Sequence, residues 1–478
     1  VLARHAFAYL LSHGVPAIVG FVGIALYSRW LTPEEYGRYA LLFASAAVMN
    51  AVVFEWLKVS VLRLQRNGAP NEVFYMSVKV VFFALLGITF VCASGFWLLS
   101  NGSQIDGFLI LLALVLSWGQ SWYQLNLSLL RAELKPLQYG KVAFARAVLG
   151  LALASLFIWF GYAEIGLLLG LIGGLLLSTM PLFRKRWGFS IKPALVSLPL
   201  LRSYAAYGLP LTITLLLGMI IHQSDRFIIG AMMGVEATGS YAVTYDLTEQ
   251  SIFTLLLIVN LAAFPLAVKK LDNEGEQAAN RQVKANMTLL LAIGLPMLIG
   301  FVMARESIAT LFLGEAFRET AVSLIPFIAV GALLKGFKLY GIDILFHLKK
   351  QTKLQIIPVV LAAVANVGLT IWFIPSYGLQ GAAIATVIAY ALAILSSWFL
   401  LYFQQTSLPF PVKGFVKIMC AGTVMFFALL PFSSESSAFA LILQILIGIF
   451  SYSVVLGLLS VKQIRLFLRK RTKQNETA

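Results

Sequence analysis

The chain alternates long apolar runs with short polar breaks, and almost every run is long enough to cross a bilayer. About 20 predominantly apolar residues span the hydrocarbon core as a helix. Fourteen such runs are read here. Seven lie at about 6–30, 37–60, 74–99, 106–130, 138–160, 163–182 and 205–232. The other seven lie at about 239–266, 285–304, 320–346, 354–375, 379–403, 413–431 and 438–460. Pro16, Pro210, Pro296, Pro326 and Pro358 fall inside or at the ends of these runs, where a freed backbone carbonyl permits a bend. The alternating segments of about ten residues that mark a membrane β-barrel are absent. The pattern predicts an all-α polytopic membrane protein. The first run is longer than a signal-peptide core and is followed by no convincing small-residue cleavage site, so it reads as an uncleaved transmembrane helix.

Composition agrees with the pattern. The 478 residues are 60% hydrophobic and 12% charged, with mean hydropathy +0.88, outside the range of soluble domains. The net charge of +16 matters through where it sits. With the N-terminus cytoplasmic, 26 of the 36 Lys and Arg fall in cytoplasmic segments, six lie within the runs, and four (Arg29, Arg38, Arg305 and Arg318) lie on the opposite face. By the positive-inside rule both termini are expected in the cytoplasm. The charge then needs no nucleic-acid partner, because the basic segments meet anionic lipid head groups. No loop is long enough for a soluble domain; the longest outer one, ARESIATLFLGEAFRET, is itself half apolar. The basic tail, 462–478, reads as an interfacial segment that ends without structure.

Charges inside apolar runs are the candidate chemistry. One near mid-bilayer costs about 2.5–3.5 kcal/mol on insertion scales, so it is expected to face a partner or a wet cavity. Residues 203–242 form one long apolar stretch that contains Asp225 and Arg226, with Gly218 and His222 on the same helical face. That face either locks helices together or lines a polar path. The basic residues within runs are Lys58, Lys79, Arg146, Arg226, Lys335 and Lys338; the acidic ones are Glu55, Asp225, Asp246, Glu249 and Asp343. Lys58 and Lys79 lie near helix ends where their side chains can snorkel, and Glu55 is placed three residues before Lys58 to pair with it. Arg146, Lys335 and Lys338 have no carboxylate within a helical turn, so with Arg226 they are candidates for an anionic ligand. Arg suits bidentate phosphate recognition and Lys acts as a point charge. Bridges to Asp246, Glu249 or Asp343 on other helices are the structural alternative. Asp225, Asp246 and Glu249 are candidate H⁺ or Na⁺ sites, because burial raises a carboxylate's proton affinity. Cys92, Cys420 and the four histidines show no metal-ligand spacing, and no P-loop is present, so no metal or cofactor is expected.

The chain also resembles itself. LTPEEYGRYAL at 31–41 matches MGVEATGSYAV at 233–243, and each follows a helix that carries a Gly-x-Pro. IWFGYAEIGLLLG at 158–170 matches IWFIPSYGLQGAAIA at 371–385. These offsets place six helices in each unit, giving two parallel, pseudo-symmetric bundles with a substrate path between them. The expected division is a first bundle at 1–190, a second at 191–404, two added helices at 405–461 and the tail at 462–478.

Three stretches carry a family resemblance: R-x-L-T-P-E-E-Y-G-R-Y-A at 29–40, S-D-R-F-I-I-G at 224–230, and L-x-G-A-A-I-A-T at 379–386. They are similar to those of the polysaccharide-biosynthesis (Wzx-type, O-antigen) flippases of the multidrug/oligosaccharidyl-lipid/polysaccharide exporter superfamily. The resemblance implies a MATE-like fold and alternating-access flipping of undecaprenyl-pyrophosphate-linked oligosaccharides across the bacterial cytoplasmic membrane. It implies no enzymatic step, and partners that include the bilayer and a glycan pathway's polymerase and chain-length machinery. Asp225 and Arg226, with Arg29 and Gly37 at the first outer turn, are the positions that stand in its motifs. The alternatives are a MATE-type drug antiporter and, from another class, a membrane polymerase or ligase. The latter would need a sizeable outer loop with catalytic groups, which this chain lacks.

Overall fold

The computed structural model describes residues 2–64, 72–99, 107–188, 190, 192–404 and 408–476, with side-chain surroundings for all of these but 2–13, 193, 211, 213–215 and 462–476. His5, His13 and the tail's basic side chains are therefore outside the described residues. Every regular element described is helical. In chain order they are α1 (Leu2–Trp30), α2 (Pro33–Val53), α3 (Glu55–Leu64), α4 (Glu72–Leu99), α5 (Gly107–Ala132), α6 (Pro136–Trp159), α7 (Ala163–Leu182) and α8 (Leu198–Met233). There follow α9 (Val235–Glu274), α10 (Glu276–Met303), α11 (Arg305–Phe312), α12 (Glu315–Phe337), α13 (Asp343–Leu348), α14 (Ile356–Phe403), α15 (Val412–Leu429) and α16 (Ala438–Glu476).

Eleven described helical segments are long and apolar enough to cross a membrane, so the chain is a multi-pass membrane protein. Fourteen is not reached by this measure. The part of α1 whose side-chain surroundings are described is the shorter apolar helix Gly14–Trp30. The 48 residues of α14 are two helices joined at Gly378, whose φ of 55° and ψ of −138° suit a residue without a side chain. Two expected helices are interrupted. The run at 37–60 breaks at Phe54 into α2 and α3, and the run at 320–346 contains a π-helical turn, Lys338–Ile342. The segment expected to be the longest outer loop contains the short helix α11, and the tail continues α16 to Glu476 as helix.

Two compact units are present. The first comprises 1–243 with 359–385, and the second 244–358 with 386–478, so α9 and α14 contribute to both. In the first unit α6 and α7 pack at backbone range. Gly166, Gly170 and Gly174 recur every fourth residue along α7, and a Cβ on Gly170 would stand 2.2 Å from the Ala154 nitrogen. Small residues at this spacing let apolar helices gain dispersion contact, since lipid offers them no hydrophobic driving force. A second cluster joins Phe54, Leu57, Phe82, Trp122, Trp187 and Tyr204.

In the second unit α10 is central. Leu290 and Leu291 pack toward α9, α12 and the π turn, while Met303 meets Ala421, Met425 and Leu429 of α15 and Tyr452 of α16. The Tyr452 hydroxyl donates to the Ala292 carbonyl at 2.9 Å. The two added helices thus share the second unit's core.

Candidate functional site

The first unit holds a buried polar centre on α8. Asp225 and Arg226 are 2% and 3% exposed. The Asp225 carboxylate accepts from the Tyr241 hydroxyl of α9 at 3.0 Å and from the Thr370 hydroxyl of α14 at 3.2 Å. One residue earlier, the Ser224 hydroxyl donates to Asn366 Oδ1 at 3.0 Å, again from α14. Thr370 and Asn366 are four apart, so they share one face of α14 and meet successive positions of α8. Three helices therefore converge on one carboxylate, with further oxygen groups beside it. Such a set suits a proton or a hard monovalent cation. It also fixes the helices, since a hydrogen bond to a charged group is worth about 1.5–3 kcal/mol.

Other polar groups of this unit lie where α2 breaks. Phe54 N–H bonds the Asn50 carbonyl, and Asn50 Oδ1 accepts from Ser121 of α5 at 2.7 Å. Lys58 pairs with Glu55, as their spacing suggests, and donates to Gln124 at 3.0 Å. Asn50, Lys58, Ser121 and Gln124 line one narrow crevice. Side-chain ties from both halves of the broken helix to α5 accompany the break, which contains no Pro or Gly. Arg146 is half-buried on α6 with its guanidinium carbon 5.4 Å from the Tyr123 ring centre, and among the described residues it forms no ion pair. Arg29 is exposed in the last turn of α1.

Lys79 departs from its expected role. It is 1% exposed and does not snorkel; its ammonium donates to the carbonyls of Trp187, Gly188 and Ser190 at 2.7, 3.0 and 2.8 Å. It caps the π-helical turn Phe183–Trp187 and holds the segment that leads to α8. Three carbonyls occupy all three N–H groups of an ammonium, so it has none left for a ligand.

In the second unit Lys335 and Lys338 form two of the carboxylate bridges that the sequence left open as the alternative to ligand binding. Lys335 Nζ donates to Glu249 of α9 at 2.7 Å and lies 4.6 Å from the Phe253 ring centre. Lys338 is held by both oxygens of Asp343 at 3.0 and 2.7 Å. The second pair is five residues apart. An α-helix brings together positions three and four apart, whereas the π turn widens the repeat and brings i and i+5 together. Each lysine is thereby neutralised where it stands. Asp246 is half-buried on the same helix as Glu249. The sequence reading missed Tyr241, Asn366 and Thr370. The last two were detectable as polar residues four apart in an otherwise apolar run.

Comparison with known proteins follows the same lines. The family described as "Polysaccharide biosynthesis protein" matches residues 26–322. The chain is 27% identical over 241 residues to the lipid II flippase MurJ of Thermosipho africanus, a match that spans 50% of this chain and 47% of the relative. It is 23% identical over 461 residues to the probable low-salt glycan biosynthesis flippase Agl15 of Haloferax volcanii, spanning 94% of this chain and 93% of that one. Its fold is that of lipid II flippase MurJ in an inward closed conformation, with TM-score 0.73 and 18% identity over 97% of this chain and all of that one. An inward-facing multidrug MATE transporter shares the fold at TM-score 0.57 and 16% identity, over 83% and 97% of the two chains.

Proposed function

This chain belongs to the polysaccharide biosynthesis protein family, and from that membership we propose that it flips lipid-linked glycan intermediates. The proposed substrate is an undecaprenyl-pyrophosphate-linked oligosaccharide repeat unit for O-antigen, capsule or exopolysaccharide. It is carried from the cytoplasmic to the outer leaflet of the bacterial inner membrane, with both termini of the protein inside. The observation that carries the reading is the buried Asp225–Arg226 doublet in apolar α8 of a chain of this family. Charges in such a place mark polar pathways, and a flippase must pass a diphosphate and sugars through hydrocarbon.

In this reading two six-helix repeats alternate access around a central path, and no covalent bond changes. Arg226 and Arg146 hold the pyrophosphate, and Arg29 meets the substrate at the outer end. Lys335 and Lys338 join only when their carboxylates are protonated or displaced, because each pair is neutral as it stands. Asp225 carries the coupling H⁺ or Na⁺, with Asp246 and Glu249 as the second region's candidates. The relatives named above as flippases support the substrate class. The fold shared with a multidrug transporter keeps cation-coupled drug export as the competing reading, which the experiment separates.

Arg226→Ala in a complemented deletion strain should abolish surface-glycan display while leaving protein level and drug tolerance unchanged. Normal display would remove Arg226 from the binding role. Lost drug tolerance with normal glycan would move the function to an antiporter.

A further inference from the structure

The two copies of the outer-turn motif touch each other through their glycines. A Cβ built on Gly37 of α2 would lie 1.9 Å from the Val235 carbonyl oxygen of α9. A Cβ on Gly239 of α9 would lie 1.8 Å from the Pro33 carbonyl oxygen of α2 and 2.7 Å from the Gly37 nitrogen. Pro33 and Val235 are the first residues of their helices, and one shift of 202 residues relates Pro33 to Val235 and Gly37 to Gly239. The contact is therefore reciprocal: each repeat offers a first-turn carbonyl to the other repeat's glycine.

The surrounding residues hold both helix starts in place. Thr32 caps α2 in a reciprocal box with Glu35, at 3.2 and 2.8 Å, and Pro33 fits the first helical position. Gly234, with φ of 94°, turns the chain into α9. Arg38, next to Gly37, binds Glu34 and Glu164 at 2.7 Å each, which ties this end of α2 to the start of α7. Tyr241, two residues after Gly239, donates to Asp225.

We propose that this glycine crossing is the outer closure of the translocation path, and that the Tyr241–Asp225 hydrogen bond ties its state to the buried carboxylate. The inference rests on the flippase reading. In a transporter built of parallel repeats, access alternates as one repeat rocks against the other. A backbone contact between equivalent turns of the two repeats, on the face that the positive-inside bias marks as outer, must then part before the glycan leaves. Glycine is required at both positions because a methyl group there meets a peptide carbonyl, which a helix cannot rotate aside. A cation or proton taken up by Asp225 competes for the oxygen that Tyr241 uses, and so bears on the segment carrying Gly239. Gly37 and Gly239 are positioning residues: they touch each other's helix and no substrate atom.

The test uses the full chain with Cys92 and Cys420 replaced by alanine and cysteines placed at Leu41 and Thr238. These side chains come from α2 and α9 to within 3.4 Å of one point, the Cβ position of Gly230. Transport is measured in vesicles with undecaprenyl-pyrophosphate-linked oligosaccharide extracted from the host. The expected result is ready cross-linking by a short thiol reagent, at least a tenfold loss of transport, and recovery on reduction of a disulfide form. Full cross-linking with undiminished transport, or no cross-linking at all, would overturn the proposal. Gly37→Ala and Gly239→Ala should each lower cross-link yield and transport together; transport at the parent rate would also overturn it. If alanine prevents accumulation, the cross-linking arm alone decides. If the parent, never cross-linked, moves no lipid-linked glycan, it is the flippase reading that fails.

Discussion

Two buried lysines show how differently the same side chain is used within one membrane protein. Lys79 ends among three carbonyls, so Lys79→Met leaves buried acceptors without a donor. Each such loss costs about 1–3 kcal/mol. A melting temperature lowered by several degrees in detergent, partly restored in Lys79→Arg, is expected; an unchanged melt would mean that water replaces the ammonium. The Glu249–Lys335 pair makes the opposite prediction. Removing one partner strands a buried charge at about 3–5 kcal/mol, whereas replacing both by apolar groups of similar size is near neutral or stabilising. Glu249→Leu with Lys335→Leu should therefore fold at least as well as either single variant and still fail to transport. Full transport by the double variant would make the pair structural only.

These residues also mark what could be read in advance. Asp225 and Arg226 were visible as charges in an apolar run, and the Glu55–Lys58 pair followed from its spacing. Glu249 stood among the bridging alternatives for Lys335 without being singled out, and the acceptors of Lys79 were not foreseen, because they come from a segment more than 100 residues away and hydropathy carries no information on which helices adjoin.

Among the elements, hydropathy located the membrane helices well, since bilayer thickness sets their length. It did not foresee the break at Phe54 or the π turn at Lys338–Ile342. Both depend on side chains meeting groups on other turns or helices: Asn50 with Ser121, Lys58 with Gln124, and Lys338 with Asp343. The α6–α7 pair is the clearest case of sequence acting through packing. Gly170→Leu forces a side chain against the Ala154 backbone, and overpacking of this kind costs about 1–3 kcal/mol. A thermal melt of the variant should show the loss. An unchanged melting temperature would show that α6 and α7 separate without cost.

For the whole molecule, α15 and α16 pose the question of what the added helices contribute. They pack on α10 through Met425, Leu429 and Tyr452. A chain ended after Tyr402 is expected to insert, because the earlier membrane-spanning helices are apolar in their own right, and to melt at a lower temperature for want of that contact. Failure to insert would make the two helices part of the insertion unit itself. The two similar stretches, LTPEEYGRYAL and MGVEATGSYAV, were legible in the sequence, and their glycines are the ones that meet in the structure.

The central claim is that a lipid-linked glycan crosses the membrane through this protein. Its most direct measurement is deletion of the gene in its host, followed by analysis of surface glycan and separation of lipid-linked intermediates by leaflet. Loss of surface polymer, with complete repeat units held on the cytoplasmic face, is the predicted result. Repeat units that reach the outer leaflet at the normal rate without the protein would contradict it.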